Sequence, residues 1–590
     1  MAASVLALLA VGLAVGCAGS HGPTSGVEAA HVQDAAVYPL AGTPDASAQS
    51  EISFRGVAPD QLTGVKVVGS KSKVHAGAIK AHSDGEGASF VPAKPFAAGE
   101  RVSVSADVPL VGQRNGAVSF TIARSPGAFK YQTFADGSKP VVKGSTTFHS
   151  RPDLHPPIVK VTKPMAGTPS RYFFMAPKSG PGQDGPLIFD YKGQIVWFHA
   201  LRPGFKSYDF RTATYGGKPV VTWWQGRSAG EYGGGTGIIA DSSYRVIATV
   251  KGANGYPPDL HEFLVTPQGT ALVVAYRAVR ANLKPIGPRS GALLDSIAME
   301  IDIKTGRVLF EWHSLGHIPV RDSYSVYKAR SPLDFTHLNS VAIDDDGNFL
   351  ISARNTWTVY KVDRRTGKII WRLGGKRSTF KLPSYAHITA QHDFTREGDG
   401  SYTVFDNANM FTPPKWISRA LDYSIDEKAH RARLLHAFRQ PQGRGSTTQG
   451  SVQQLANGHY VVGWGDAIPG LSEFTAGGKL VFDARLLTKV QSYRAYSLPW
   501  SAEPNRPPDV AVVKKKGKRT VYASWNGATD VAQWEILAGS TADSVSAVAH
   551  APRRGFETGI PLPGPAKFVA ARAVSASGAT LARSKVVRVR

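Results

Sequence analysis

Three histidines recur at one position of a repeated hairpin. His261 stands eight residues before Gly269, and His392 stands eight before Gly400. His337 stands ten before Gly347, in a copy whose turn, "DDDG", is longer. In the next copy the comparable place falls near Gln449. The other arm of each hairpin brings a long polar residue: Arg354 seven after Gly347, Asn407 seven after Gly400, Arg277 eight after Gly269. In an antiparallel hairpin, residues equally far before and after the turn lie at the same end, so each histidine gains such a neighbour. Asn339, two residues after His337, adds an amide. One histidine on a hairpin is more often a satisfied structural residue; the threefold repetition is what points to a site.

Neutral imidazole is a good nucleophile and proton carrier near neutral pH. Two arginines and an asparagine amide suit a tetrahedral oxyanion, because guanidinium offers a planar fork to its oxygens. Three histidines also invite a zinc reading. Against it, no inward carboxylate is found to complete a water-activating centre, and arginines beside a cation are unfavourable. Sulfuryl or phosphoryl transfer fits the charges better. Neither a metal nor a cofactor is expected.

The elements that must position these residues repeat as well. A strand, a glycine turn and a second strand make up "FRTATYGGKPVVTWW", "HEFLVTPQGTALVVAYR", "HLNSVAIDDDGNFLISAR", "HDFTREGDGSYTVFDN" and "GSVQQLANGHYVVGWGD", with an irregular first copy near "TPSRYFFMAP". A second hairpin follows in "LIFDYKGQIVWF", "MEIDIKTGRVLFEW", "YKVDRRTGKIIWRL" and "SEFTAGGKLVFD". The turn glycines Gly217, Gly269, Gly347, Gly400 and Gly458 are 52, 78, 53 and 58 residues apart, and the long gap holds an insertion around 277 to 295. Four strands per repeat of this length indicate propeller blades, six of them rather than five or seven. A propeller gathers one end of its inner strands around a central channel, where equivalent residues of successive blades converge.

The expected fold is therefore all-β: a six-bladed β-propeller over about residues 140–500, flanked by β-sandwiches. Alternating runs over 36–125 suggest an Ig-like sandwich. Residues 505–590, with "TVYASWNGATDVAQWEIL", resemble a fibronectin type III domain. The first 17 residues form a short apolar run, read as a secretory signal. "AVGC" resembles a bacterial lipobox that would make Cys17, the only cysteine, a lipid-attachment site, with 18–35 as a tether. The expected location is extracytoplasmic, at the cell surface through that anchor or secreted. No disulfide can form within the chain. The formal net charge of +25 includes one dense run, Lys514-Lys515-Lys516-Gly517-Lys518-Arg519. It reads as a solvated loop or a contact with anionic lipid or wall polymer. No compact nucleic-acid motif is present.

"DFTHLNSV", "ISARN", "YKVDRRTGKIIWRLGG", "AQHDF" and "FDNAN" resemble, in that order, the arylsulfotransferases that use no nucleotide sulfate donor, and most nearly their actinobacterial and fungal branch. The resemblance covers about residues 140–500. It implies sulfuryl transfer from a phenolic sulfate ester to a phenol through a transiently sulfated histidine, with ping-pong kinetics. It makes His392 the nucleophile and sets His337, Asn339 and Arg354 against the sulfate oxygens. His261 becomes the acid/base or the remaining oxyanion contact. Asn407 and Arg277 come from phase alone, as substrate-binding candidates. Trp223, Trp224, Trp357 and Trp464 could stack the aryl ring or pack the blades. Enteric members of the family carry a disulfide that this chain cannot form, and the insertion after Arg277 has no counterpart.

Two other readings belong to different classes. A non-catalytic propeller would bind an acidic glycan or wall polymer through its positive charge. A quinone-dependent dehydrogenase shares the "D..TGK..W" turns, but such enzymes need eight blades and axial calcium-binding carboxylates.

Overall fold

Six antiparallel sheets of four propeller strands follow one another along the chain and close into a ring. The computed structural model describes residues 34–124 and 143–589, apart from 168, 330, 409–416, 467–469 and 488–489. The expected signal run, Cys17 and the tether up to residue 33 lie outside the described residues. Blade II comprises Lys206–Tyr215, Lys218–Ala229, Tyr232–Ala240 and Val246–Val250; blade III comprises Phe263–Val265, Thr270–Ala281, Gly291–Asp302 and Val308–His313. Blade IV is built from Leu338–Ile343, Phe349–Ala353, Thr358–Val362 and Ile369–Gly374, and blade V from His392–Arg396, Tyr402–Asp406, Arg419–Asp426 and Arg431–Arg439. Blade VI holds Ser451–Gln454, Tyr460–Gly463, Gly470–Phe474 and Leu480–Leu486, with Val159–Lys163 added at its outer edge.

Blade I explains the irregular first copy. Its inner strand, Gln491–Leu498, comes from the far end of the propeller segment and pairs with Tyr172–Lys178; Leu187–Phe189 and Ile195–Phe198 lie outside. No contiguous stretch of sequence therefore contains the whole blade. Each of the six interfaces has its own apolar cluster. These join Phe174 to Trp223 (I to II), Trp224 to Val273 (II to III) and Val274 to Phe349 (III to IV). They continue through Val359 and Val404 (IV to V), Phe405 and Val462 (V to VI), and Val461 and Phe173 (VI to I). Because neighbours cover both faces of a blade, middle strands such as Phe349–Ala353 and Thr358–Val362 are buried at every position. They read as nearly continuous apolar runs for that reason.

The insertion after Arg277 lengthens a hairpin instead of adding an element. The strands Thr270–Ala281 and Gly291–Asp302 stay paired along their whole length, Ala281 opposite Gly291. Blade II carries a similar long hairpin, closed by Ala229 opposite Tyr232.

At the hub, one buried guanidinium joins its own blade to four others. Arg494, on the ring-closing strand of blade I, reaches Asp209 of blade II (3.2 Å), Glu262 before the first strand of blade III (3.0 Å) and Asp393 of blade V (3.2 Å). It also donates to the carbonyl of Asn339 in blade IV at 3.1 Å. Arg211 makes a second bridge to Glu262 at 3.0 Å and contacts Asp209.

The flanking segments form two further sandwiches. The sheet Ala36–Tyr38, Ile52–Arg55, Gly87–Pro92, Gly77–Ala81 faces the sheet Lys73–Val74, Lys66–Gly69, Arg101–Ser105, Val118–Thr121 over Phe54, Val104 and Phe120. The C-terminal sheets, one of three strands and one of five, enclose Trp525, Trp534 and Val569. Both sandwiches grip outer parts of the ring. Glu51 pairs with Arg307 at 2.6 Å, and Asn526 exchanges hydrogen bonds with the backbone of Phe198 at 3.0 and 2.9 Å. The dense basic run is an exposed hairpin tip that turns at Lys516 and Gly517.

Removing one partner of a buried ion network leaves uncompensated charge, at a cost of about 3–5 kcal/mol. Arg494→Ala is expected to lose about that much stability in urea unfolding. An unchanged midpoint would show that the ring does not depend on this residue.

Candidate functional site

His392 opens the inner strand of blade V and is buried. Its Nδ1 donates to Oδ1 of Asn407 at 2.7 Å. The amide of Asn407 is oriented by two backbone acceptors, the carbonyls of Ser446 (3.0 Å) and Gln449 (2.9 Å). With its nitrogen committed there, only its oxygen can face the imidazole, and Nδ1 must carry the proton. Nε2 then presents a lone pair, which accepts the backbone N–H of Gln449 at 3.2 Å. Burial, and after it the Arg354 guanidinium, hold the His392 pKa well below the usual value. The result is a neutral imidazole of one tautomer.

The other two histidines are backed differently. His261 Nδ1 bonds to Asp259, and His337 Nδ1 lies 2.5 Å from Oδ2 of Asp334. Their rings meet edge to face, with centroids 4.6 Å apart. Tyr493 connects this pair to the third histidine, at 5.8 Å from His261 and 6.1 Å from His392. Burial lowers the His261 pKa despite the opposing effect of Asp259. The carboxylates that the sequence did not disclose stand behind the rings: Asp259 and Asp334 lie two and three residues before their histidines, in "DLH" and "DFTH". Tyr232, from the long hairpin of blade II, donates to the same Asp334 oxygen at 2.6 Å.

Asn339 is buried and donates to the carbonyl of Gln391, the residue before His392, at 2.7 Å. Its Oδ1 has no hydrogen-bond partner among the described residues. Arg354 follows the second strand of blade IV and donates to Asn355 Oδ1 (2.9 Å) and the Thr447 carbonyl (3.2 Å). Its Nε is buried and has no hydrogen-bond partner among the described residues.

Two phase assignments read differently in three dimensions. Arg277 stacks over Tyr256 at 5.7 Å, whereas Tyr276 lies against His261 (5.7 Å) and His337 (5.9 Å). Successive side chains of a strand point to opposite faces, so the difference between seven and eight residues after the turn glycine decides which one joins the histidines. Asn407 uses both ends of its amide on His392 and the backbone, which makes it a residue that positions the imidazole. Of the four tryptophans, Trp223, Trp224 and Trp464 lie in blade cores. Trp357 stacks on Tyr324 at 3.6 Å and lines a cavity of about 540 Å³ with Asp406 and Arg419.

Lys178 was not legible beforehand. It ends the second strand of blade I, opposite Gln491. Its Nζ donates to Oε1 of Gln449 at 2.7 Å and lies 4.9 Å over the ring of Tyr208. Burial, and then Lys206, lower its pKa to about 7. A buried amine that titrates near neutrality thus touches the residue whose N–H caps His392.

Because the folded state keeps His392 neutral while an unfolded histidine protonates near pH 6.5, this residue withdraws stability as pH falls below about 6.5. Nitrogen-15 spectra of the imidazoles are expected to show His392 as the neutral Nδ1–H tautomer from about pH 5.5 to 8. A doubly protonated pattern at the acid end would contradict the geometry.

No curated protein matches the chain. Solved structures that resemble it include a Bacteroides caccae protein of unknown function, 12% identical with a TM-score of 0.35, covering 56% of this chain and 98% of its own. A catalytically inactive virginiamycin B lyase from Staphylococcus aureus with quinupristin is 9% identical, with a TM-score of 0.29 and coverage of 62% and 97%. The periplasmic gluconolactonase PpgL of Pseudomonas aeruginosa is 12% identical, with a TM-score of 0.31 and coverage of 71% and 96%. Residues 211–486 match the arylsulfotransferase (ASST) family profile. That segment contains all three histidines with Asn339, Arg354 and Asn407, and over it the chain is similar to the arylsulfotransferase family.

Proposed function

We propose that the hub transfers a sulfuryl group from an aryl sulfate to a phenol by way of a sulfated His392. The observation that carries this reading is the difference in what backs each imidazole. A carboxylate behind His261 or His337 stabilises the imidazolium that forms when the ring takes a proton, as suits an acid/base group. The neutral amide of Asn407 gives His392 no such help; it fixes the tautomer and leaves Nε2 as a lone pair. One ring is thus arranged as a nucleophile and two as proton carriers or oxyanion contacts.

In the first displacement, Nε2 of His392 attacks sulfur, an N–S bond forms, and the aryl S–O bond breaks. The bound anionic ester, together with Asp259, favours a proton on His261 against the effect of burial, and the leaving phenolate takes that proton. In the second, an acceptor phenol returns a proton to His261 as its oxygen attacks sulfur, and the N–S bond breaks. Charge on the three sulfate oxygens is offset by Arg354, His337 and the second N–H of the Asn339 amide. Fixed donors in a water-poor site lower such a barrier mainly by electrostatics. The donor must displace the Gln449 N–H from Nε2 before attack. Location outside the cytoplasm, with Cys17 lipidated, and contact of the basic hairpin tip with wall polymer extend the same proposal on sequence grounds.

His392→Asn is expected to lower transfer between an aryl sulfate and a phenol by roughly three orders of magnitude or more. Mass spectrometry of the parent protein, quenched after mixing with aryl sulfate alone, is expected to find one added sulfuryl group on His392. Parent-like turnover in the variant, or a label on another residue, would refute the assignment. Salt-sensitive glycan binding without any label would favour the non-catalytic alternative.

A further inference from the structure

We propose that Asp45, Asp295 and His313 bind a divalent transition-metal ion of the zinc or manganese class, which locks the N-terminal sandwich onto blade III. The three residues come from distant parts of the chain: Asp45 follows the first sandwich strand, Asp295 lies in the third strand of blade III, and His313 ends its outermost strand. All three are buried, and one donor atom from each falls within 4.8 Å of the others. His313 Nδ1 lies 2.7 Å from Asp295 Oδ2 and 3.3 Å from Asp45 Oδ1. Donors held at about 2.0–2.2 Å from one ion are spaced at about 3 Å from each other.

Two observations separate this cluster from an ordinary acidic patch. Neither carboxylate oxygen of Asp45 makes a hydrogen bond among the described residues; the side chain is only 4% exposed, and its ion-pair contact is Nδ1 of His313 at 3.3 Å, another of the proposed ligands. A carboxylate so placed needs a cation or a proton. The outer contacts also match those that support a metal-bound imidazole. His313 Nε2 lies 3.1 Å from Glu311 Oε1, so its N–H can donate there while Nδ1 binds the ion. Glu311 is held in turn by Nδ2 of Asn254 at 2.6 Å. The other oxygen of Asp295 accepts from Ser314 Oγ and the Leu315 N–H, each at 2.8 Å. A carboxylate behind the second ring nitrogen fixes the tautomer of a metal-binding histidine and raises its basicity.

One imidazole nitrogen and two carboxylates suit zinc or manganese better than calcium, which prefers six to eight oxygens. Arg277, stacked on the Tyr256 ring that lies 6.0 Å from His313, marks the edge of the cluster. The assignment is independent of the sulfuryl-transfer reading, because none of these residues touches the hub histidines.

The test uses the full chain without a polyhistidine tag, stripped with a chelator and titrated with Zn²⁺ or Mn²⁺ alone. One equivalent is expected to bind and to raise the melting temperature. Asp45→Asn should abolish both effects, and Glu311→Gln should weaken binding about 10–100-fold. If the parent binds neither ion, if Ca²⁺ is taken up in preference, or if Asp45→Asn keeps full stoichiometry, the proposal is overturned. Should Asp45→Asn fail to fold, the Glu311→Gln titration decides alone, and unchanged affinity there would overturn it.

Discussion

The guanidinium of Arg494 is the contact on which this architecture turns. A ring of blades has no inner sheet to bind it together, and its first and last elements must find each other across the length of the chain. Arg494 sits on the strand that closes the ring and is met there by Asp209, Glu262 and Asp393 from three other blades. Taking so many charges out of water costs more than a packed apolar hub would, unless each is paired. What the arrangement provides is register. Asp393 follows His392 and Glu262 follows His261, so the acids that hold the ring also set the positions of two imidazoles.

The site is a second consequence of the same geometry. Three imidazoles occupy comparable stations, yet their chemistry differs because their Nδ1 partners differ. Asp259 and Asp334 are carboxylates, and Asn407 is an amide whose nitrogen is spent on two backbone carbonyls. Repetition supplies three copies of one side chain, and the partner behind each one differentiates them. Blade VI contributes a backbone N–H at the corresponding place, and blade I an amine, Lys178, that burial tunes towards neutrality.

Much of the site was legible because a repeat fold writes spatial proximity as sequence phase. His261, His337 and His392 could be placed at one end of their hairpins by counting from turn glycines, whose left-handed backbones (φ of 82°, 81° and 86° at Gly269, Gly347 and Gly400) explain their recurrence. The count failed where it was relaxed by one residue, since Arg277 and Tyr276 point to opposite faces of the same strand. The supporting carboxylates left a signal in "DLH" and "DFTH". A short motif of that kind does not show whether the acid faces a ligand or sits behind the ring, because that depends on how the chain enters the strand.

Local pattern determined what depends on local physics: the strands, through their alternating or continuous apolar runs; the turns, through glycine; the number of blades, through the spacing of both. Ring closure was beyond it. The inner strand of blade I lies more than three hundred residues from the strand it pairs with, and nothing in "QSYRAYSL" names "YFFMAPK" as its neighbour. For the same reason Lys178, Tyr493 and Arg494 could not be assigned to the hub, and Asp45 could not be joined to His313. Hydrogen-bond partners, burial and the resulting shifts in proton affinity depend on which surfaces meet, and only the closed tertiary structure brings those surfaces together.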